Sequence, residues 1–499
     1  MADLSDWAAT QPDVDAIVSP TGRRTYRELD ANANRLARAL RRRGLRSGDA
    51  VALLSGNRPE FVEVYFACQR AGLRLTPVNW HLTGDEAGYI VADCEARAIV
   101  ADHAVGALAR EALAASATCG VAIAFGGVIE SFESYEDALA NEVPDALEDP
   151  SRGGTMLYTS GTTGRPKGVL RPTVESPVVA NLYGYADAGG DVHLCTGPLY
   201  HAAPLAFSMS IPLAFGATVV LMETWDAELA LRLIAERHVT HTHMVPTMFH
   251  RLLSLPPAVR QGYDVSSVRH VLHGAAPCPV PVKHRIIEWF GPVVVEYYAA
   301  TEGAGSFVDS TTWLARPGTV GLPITPGQVM VGDEDGNPVP HGEVGLIYLR
   351  APEGLFFSYF KDDAKTASAY RGNYFTLGDV GYFDEDGYLY LTDRSANLII
   401  SGGVNIYPAE VDGLLLEHPA VADAATIGIP SEEWGEAVLS IVELQADTMP
   451  SDALADELMA FCRDRLAHFK CPKQIEFIDV LPRQDNGKIY KRLLREQRR

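Results

Sequence analysis

No two cysteines in this chain stand in a Cys-x-x-Cys spacing. The seven present (Cys68, Cys94, Cys119, Cys195, Cys278, Cys462 and Cys471) are scattered and odd in number. That pattern excludes a disulfide framework and a cysteine-rich zinc site, and it fits reduced thiols in a cytoplasmic protein. Positive charge is also short: 42 Lys and Arg face 64 Asp and Glu, a formal net charge of −22. Nonspecific nucleic-acid binding needs a basic surface, so that class drops out, although a local basic patch for an anionic cofactor stays compatible. The start, Met1-Ala2-Asp3-Leu4-Ser5-Asp6, lacks the basic residues and apolar core of a signal peptide. The uncharged run Ala202 to Met222 would be long enough to span a bilayer. It is cut by Pro204, Ser208, Ser210, Pro212 and Gly216, and reads as a buried helix followed by a strand at 218–222. Stable membrane insertion is therefore not expected. There is no Gly-x-Ser-x-Gly elbow, no internal repeat and no low-complexity linker, so serine-hydrolase chemistry and repeat architectures lack support.

What is present is an ordinary globular composition, 47% hydrophobic and 21% charged, over 499 residues. That is too long for one core, so two or more domains are expected. Ala50-Val51-Ala52-Leu53-Leu54 reads as a buried strand. Asn57-Arg58-Pro59-Glu60 reads as a helix start, Gly72 as its stop, and 73–78 as the next strand. A further cycle runs from Thr83 to a strand at 97–100. A second region repeats the alternation with strands at 218–222, 241–245 and 267–272 around a helix at 227–238. Alternation of this kind predicts parallel sheets with helices on their faces. Residues 115–150 are less readable and are expected to contain a surface excursion. From Gly342 short strands with turn signals predict a small β-barrel-like subdomain. After Arg394 the pattern restarts as a compact α+β unit of about a hundred residues, large enough to fold alone. The expected fold class is α/β: a large N-terminal domain, 1–394, with two α/β sheets plus the β subdomain, and a small mobile α+β C-terminal domain, 395–499. The boundary reads as a short hinge, which favours rotation.

The most informative stretch is Thr159-Ser160-Gly161-Thr162-Thr163-Gly164-Arg165-Pro166-Lys167-Gly168. Glycines let backbone N–H groups turn toward an anion, Ser and Thr add hydroxyl donors, and a lysine supplies countercharge. Thr155-Met156-Leu157-Tyr158 reads as a short buried strand feeding this loop. It is not a Walker A sequence, because Lys167 lies between Pro166 and Gly168. His238, His241 and His243 are close in sequence, but no cysteine or carboxylate completes a metal set, so a strand with one histidine facing a pocket is expected.

The 159–168 string resembles the nucleotide loop of the adenylate-forming superfamily, in particular its acyl-CoA synthetase branch of fatty-acid or aryl-acid CoA ligases. Five further segments fit in the family's order, so the resemblance covers nearly the whole chain. Pro198-Leu199-Tyr200-His201-Ala202-Ala203-Pro204 resembles the segment whose His or aromatic residue borders the carboxylate pocket, which implies that role for His201. Tyr297-Tyr298-Ala299-Ala300-Thr301-Glu302-Gly303 implies that Tyr298 stacks on adenine, Thr301 bonds the phosphate region and Glu302 ligates Mg²⁺; one carboxylate with phosphate oxygens and waters is a normal Mg²⁺ site. Many relatives have Gly at the position of Ala299. The loop Gly274, Ala275, Ala276, Pro277 resembles the one beside the adenine. Asp379, in Tyr374-Phe375-Thr376-Leu377-Gly378-Asp379-Val380, matches the acid that accepts from the ribose hydroxyls. Arg394 fits the ribose-binding arginine before the hinge, and Ala396 stands where the family commonly has Asp or Lys. Gly402 and Gly403 resemble the glycines that line the pantetheine passage. Lys488, in Asp485-Asn486-Gly487-Lys488, matches the lysine that reaches the carboxylate and α-phosphate. Trp434, Phe469, Lys470 and Lys473 resemble the CoA-contacting region, where some relatives have Arg in place of Cys471.

The resemblance implies an acid–CoA ligase that uses ATP, Mg²⁺ and coenzyme A on a small-molecule carboxylic acid. The apolar 202–213 segment and the small residues Ala203, Gly274 and Ala299 suggest a hydrophobic acyl or aryl group. An adenylating enzyme that loads a carrier protein, and a ligase specialised for the thioester-forming half, are the alternatives. A homodimer is compatible with the sequence.

Overall fold

The computed structural model describes residues 3–159, 166–171, 183–186, 189–351, 356–394, 397–401, 404–431, 434–483 and 488–498. The chain forms two compact units: Met1–Met244 with Leu255–Leu272 and Pro352–Ser368, and Val245–Ser254 with His273–Ala351 and Ala369–Arg499.

The first unit holds two α/β sheets, as the alternation predicts. One is wholly parallel and runs Glu133–Ser134, Val121–Phe125, Ala96–Asp102, Ala50–Leu54, Arg74–Val78, Gly154–Thr155. In the other, Val192–Cys195 lies between Thr218–Leu221 and His241–Met244, all parallel, and the hairpin Asp15–Ser19/Gly22–Thr25 extends it. The helices Tyr26–Arg42 and Pro59–Ala71 share one core with both sheets: Leu29, Leu36, Leu40, Phe61 and Val64 pack with Val51, Leu53, Val219 and Leu221. Local signals set the helix bounds. Thr25 and Glu28 form a reciprocal capping box at one start, and Pro59 occupies the first turn of the other. Gly72 closes the second helix at φ +76°, where a Cβ would lie 2.7 Å from Ser47 Oγ and 2.8 Å from Ser151 Cβ, so no larger residue fits.

Two stretches hold more structure than their sequence shows. Within 115–150, less readable in the sequence, Val121–Phe125 is an internal strand and Tyr135–Ala140 a helix with buried Tyr135 and Leu139. The single strand expected at 155–158 is two strands broken at Met156. Gly154–Thr155 joins the parallel sheet, whereas Leu157–Thr159 joins a three-stranded sheet with Lys167–Leu170 and Ser358–Tyr359.

In the second unit, Val329–Gly332, Gly345–Arg350, Tyr374–Phe383, Leu389–Arg394, Thr319–Pro323, Ala304–Asp309 and Val294–Ala299 follow one another as antiparallel neighbours. Among the described residues this run is an open path, where the sequence suggests a barrel-like form. Its core contains a buried ion pair, Lys283 Nζ to Glu296 Oε2 at 2.5 Å, with the ammonium 4.6 Å from the Trp313 ring centroid. The C-terminal stretch builds a five-stranded sheet from Val404–Ile406, Ile399–Ser401, Gly435–Leu444, Val421–Ser431 and Gln474–Ile478. The helices Pro408–Leu415 and Asp452–Arg463 cover it through Val411, Leu415, Leu458 and Cys462. Among the described residues no helix is long and apolar enough to cross a membrane.

Candidate active site

The stem of the glycine-rich loop is a two-stranded antiparallel ribbon in which Thr159 faces Lys167 and Tyr158 faces Gly168. Ser160, Gly161, Thr162, Thr163 and Gly164 lie outside the described residues. Past the loop, Tyr89 Oη donates to Pro166 O at 3.3 Å. Lys167 Nζ sits 2.8 Å from Asp362 Oδ2. Their hydrogen bond pushes the ammonium's pKa up and the carboxyl's down, so both remain charged near neutrality.

His201 immediately precedes a helical stretch that is not regular: Ala202–Leu205 is α, Ala206–Ser210 a π turn and Ile211–Ala214 α again. π turns of this kind concentrate at functional sites because they re-aim neighbouring side chains. The Tyr200 and His201 rings lie 4.7 Å apart, and Phe207 lies 5.6 Å from Tyr183 and 5.7 Å from His243. Burial pushes His243 down to about 3, so it is neutral. Asn57 anchors this segment. Its Nδ2 donates to Gly197 O and Met222 O, both at 2.9 Å, and its Oδ1 accepts from Leu199 N–H at 2.9 Å. Sequence reasoning misses this role, since a helix-start motif gives no sign of partners at 197, 199 and 222.

Of the trio His238, His241 and His243, two stand on one strand and one does not. His238 ends the helix Ala227–Arg237 at φ +50°, while His241 and His243 are both buried on one strand. Among the described residues no group of three His, Cys, Asp or Glu could hold a metal.

The second unit assembles another set. Tyr298 Oη donates to Asp379 Oδ2 at 2.7 Å, and Asp379 is the register partner of Arg394 on the next strand. A bulge between Tyr298 and Ala299 shifts the register just before the tip, as bulges do where a side chain must be re-aimed. Ala300 N–H donates to Gly303 O at 2.7 Å, and Gly303 N–H returns to Ala300 O at 3.2 Å. This tight turn places Thr301 and Glu302 at its tip. Gly303 is required there because a Cβ would come within 2.8 Å of the Phe375 ring. Gly274 packs directly on the strand that carries Tyr298; a Cβ would lie 2.5 Å from Tyr297 O. Ala275, next in the Gly274–Ala275–Ala276–Pro277 loop, holds φ +67°, a strained conformation for a residue with a side chain. Glu302 offers a single carboxylate to a cation, which fits Mg²⁺ held mostly by phosphate and water oxygens.

Toward the C-terminus, Gly402 and Gly403 lie outside the described residues, between the paired Ser401 and Val404. Trp434 and Phe469 are exposed. Lys470 Nζ bonds both oxygens of Glu410, at 2.8 and 2.7 Å, while Lys473 is exposed. Cys471, where some relatives place Arg, is buried, with its thiol toward Leu466 O and Ala467 O. Lys488 is half-buried.

The family model described as AMP-binding enzyme matches residues 4–360, and the AMP-binding enzyme C-terminal domain matches 410–488. The chain is 35% identical over 473 residues to a feruloyl-CoA synthase from Amycolatopsis sp, covering 94% of this chain and 92% of that protein. It is 32% identical over 505 residues to an indoleacetate–CoA ligase from Aromatoleum aromaticum, covering 98% and 97%. The crystal structure of the anthranilate CoA ligase AuaEII in complex with anthranoyl-AMP superposes with a TM-score of 0.90 at 25% identity, over 99% of this chain and 96% of that one.

Proposed function

The chain belongs to the AMP-binding enzyme family and is an ATP-dependent, AMP-forming acid–CoA ligase, and from that premise we propose that its acid carries an aryl ring. The reaction has two halves. A carboxylate oxygen attacks the α-phosphate of ATP, giving acyl-AMP and pyrophosphate. The thiol of coenzyme A then attacks the acyl carbonyl, and AMP leaves. Catalysis of the first half is positioning and charge neutralisation; Mg²⁺ supplies part of that neutralisation when bound.

In this reading Asp379 presents acceptor oxygens to the ribose hydroxyls, and the Tyr298 hydroxyl fixes the carboxylate's orientation through their 2.7 Å bond. Thr301 and Glu302, on their tight turn, serve the phosphates and Mg²⁺. The Thr159–Lys167 stem carries the loop donors, His201 borders the carboxylate, and Lys488 assists acyl-AMP formation. Trp434, Phe469 and Lys473 face the acceptor, and the hinge follows Arg394, so that 395–499 turns as a body. Seven free cysteines support a cytoplasmic setting.

The observation that carries the aryl assignment is the row of rings in the first unit, Tyr183, Phe207 and His243, spaced 5.6 and 5.7 Å beside the helical stretch that follows His201. Rings at this spacing pack on one another, and an aromatic acid would extend that cluster by stacking beside it. The relatives' own acids, feruloyl, indoleacetate and anthranilate, support the same class. A carboxylic-acid panel read by AMP release tests it. Aryl acids are expected to exceed saturated fatty acids of equal carbon number by about tenfold or more in kcat/KM. A saturated fatty acid as the best substrate would reject the assignment.

A further inference from the structure

The loop's lysine has a partner that the loop sequence does not announce. Lys167 Nζ lies 2.8 Å from Asp362 Oδ2, and the other oxygen, Oδ1, accepts from Lys365 N–H at 3.0 Å at the start of the helix Asp363–Ala369. One carboxylate thus performs two tasks, one per oxygen. The turn delivering it is strained: Lys361, directly before Asp362, holds φ +57°, left-handed backbone that a residue with a side chain adopts only under constraint. That constraint is visible on every side. Phe360 N–H donates to Gly168 O at 2.8 Å, and Ser358–Tyr359 pairs with Lys167–Leu170. Lys361 Nζ donates to Asp93 O at 2.8 Å and lies 3.0 Å from Glu95. The Arg74 guanidinium covers the Phe360 ring at 4.8 Å.

We propose that Asp362 is a positioning residue that holds the Lys167 ammonium in the empty enzyme and competes for it with the β- and γ-phosphates of ATP. The inference rests on the reading of residues 159–168 as a phosphate loop. The pair is built to exchange: its side chains are 33% and 24% exposed, and solvated ion pairs of this kind hold weakly. Competition of this sort has a signature that a structural role lacks. It acts on ligands with phosphate beyond the α position and spares AMP.

Asp362→Asn is the test, because Asn caps a helix as well as Asp does while removing the countercharge. Calorimetry on the full chain should show MgATP and pyrophosphate binding about fivefold tighter than to the wild type, with AMP unchanged. Equal weakening of all three ligands would overturn the proposal by making Asp362 purely structural. No change, or weaker MgATP binding with AMP unaffected, would overturn the competition. A wild-type protein that binds none of the three would defeat the phosphate-loop reading, and this proposal with it.

Discussion

Asn57 is buried between stretches of chain about 140 and 165 residues away, and its amide is committed to both. Asn57→Ala strips the Leu199 N–H and the Met222 carbonyl of this partner in the core and leaves the Gly197 carbonyl with the Cys195 thiol. A loss of about 2–4 kcal/mol is expected, because buried polar groups stripped of partners cost their full desolvation. Urea unfolding would measure it, and an unchanged midpoint would contradict the anchoring role. Because residues 197–199 lead into His201, kcat/KM for the acid should fall further than the affinity for ATP. Legibility at this scale follows from where a residue's partners sit. The tip Thr301–Glu302 and the acid Asp379 are readable because their neighbours in sequence form a dense motif. Asn57 and Asp362 are not, because their partners arrive from distant segments. Ala275 is the opposite trap: a left-handed turn is readable in the Gly274–Pro277 loop, but an alanine does not announce that it is the residue that adopts it, as a glycine would.

Among elements, the strand Val294–Ala299 and the helix Val280–Phe290 are joined by the buried pair Glu296–Lys283. Burial drives the Glu296 carboxyl up against the opposing pull of Lys283, so the pair is stable only as a pair. Lys283→Met alone should cost about 3–5 kcal/mol, whereas Lys283→Met with Glu296→Leu should restore most of that loss. Denaturant midpoints of both variants decide it; an equally damaged double variant would mean that packing around Trp313, not charge, is at stake. Strands such as Ala50–Leu54 and Thr218–Leu221 match the sequence reading because each is a bounded apolar or β-branched run. Val121–Phe125 is missed because its alanines dilute the strand signal and its flanks are irregular. The π turn at Ala206–Ser210 is missed because no residue pattern distinguishes it from an α turn.

At the scale of the whole molecule, four histidines of the first unit set an acid limit. His193, His241, His243 and His270 lie on three strands of one sheet, near Asp191 and Arg269. Burial lowers His193 well below the ordinary range, His241 and His270 to about 4 and His243 to about 3. Between those values and about 6.5 the unfolded chain binds more protons than the folded one. The stabilisation is therefore complete above about pH 6.5 and is lost as pH falls toward 4, by up to about 1.4 kcal/mol per pH unit for each histidine. Glu63, Glu296 and Asp412, raised by burial, act in the opposite sense at the acid end. Thermal melts should show Tm dropping between pH 7 and 5, and less steeply for His243→Phe. A flat profile over that range would contradict the assignment. The two-sheet α/β architecture is legible because long alternating patterns average over local noise. The break at Met156 is not, because a change of sheet needs no change of residue type.

That break sets how the stem of the glycine-rich 159–168 stretch is mounted. Gly154–Thr155 is tied to the parallel sheet, Met156 N–H still donates to Leu75 O at 2.8 Å, and the next residue already belongs to the stem. The stem has no slack on that side. Any shift of the stem is delivered within two residues to the strand Arg74–Val78, which is buried from Leu75 to Val78, so a pull on the loop is felt at once in the parallel sheet.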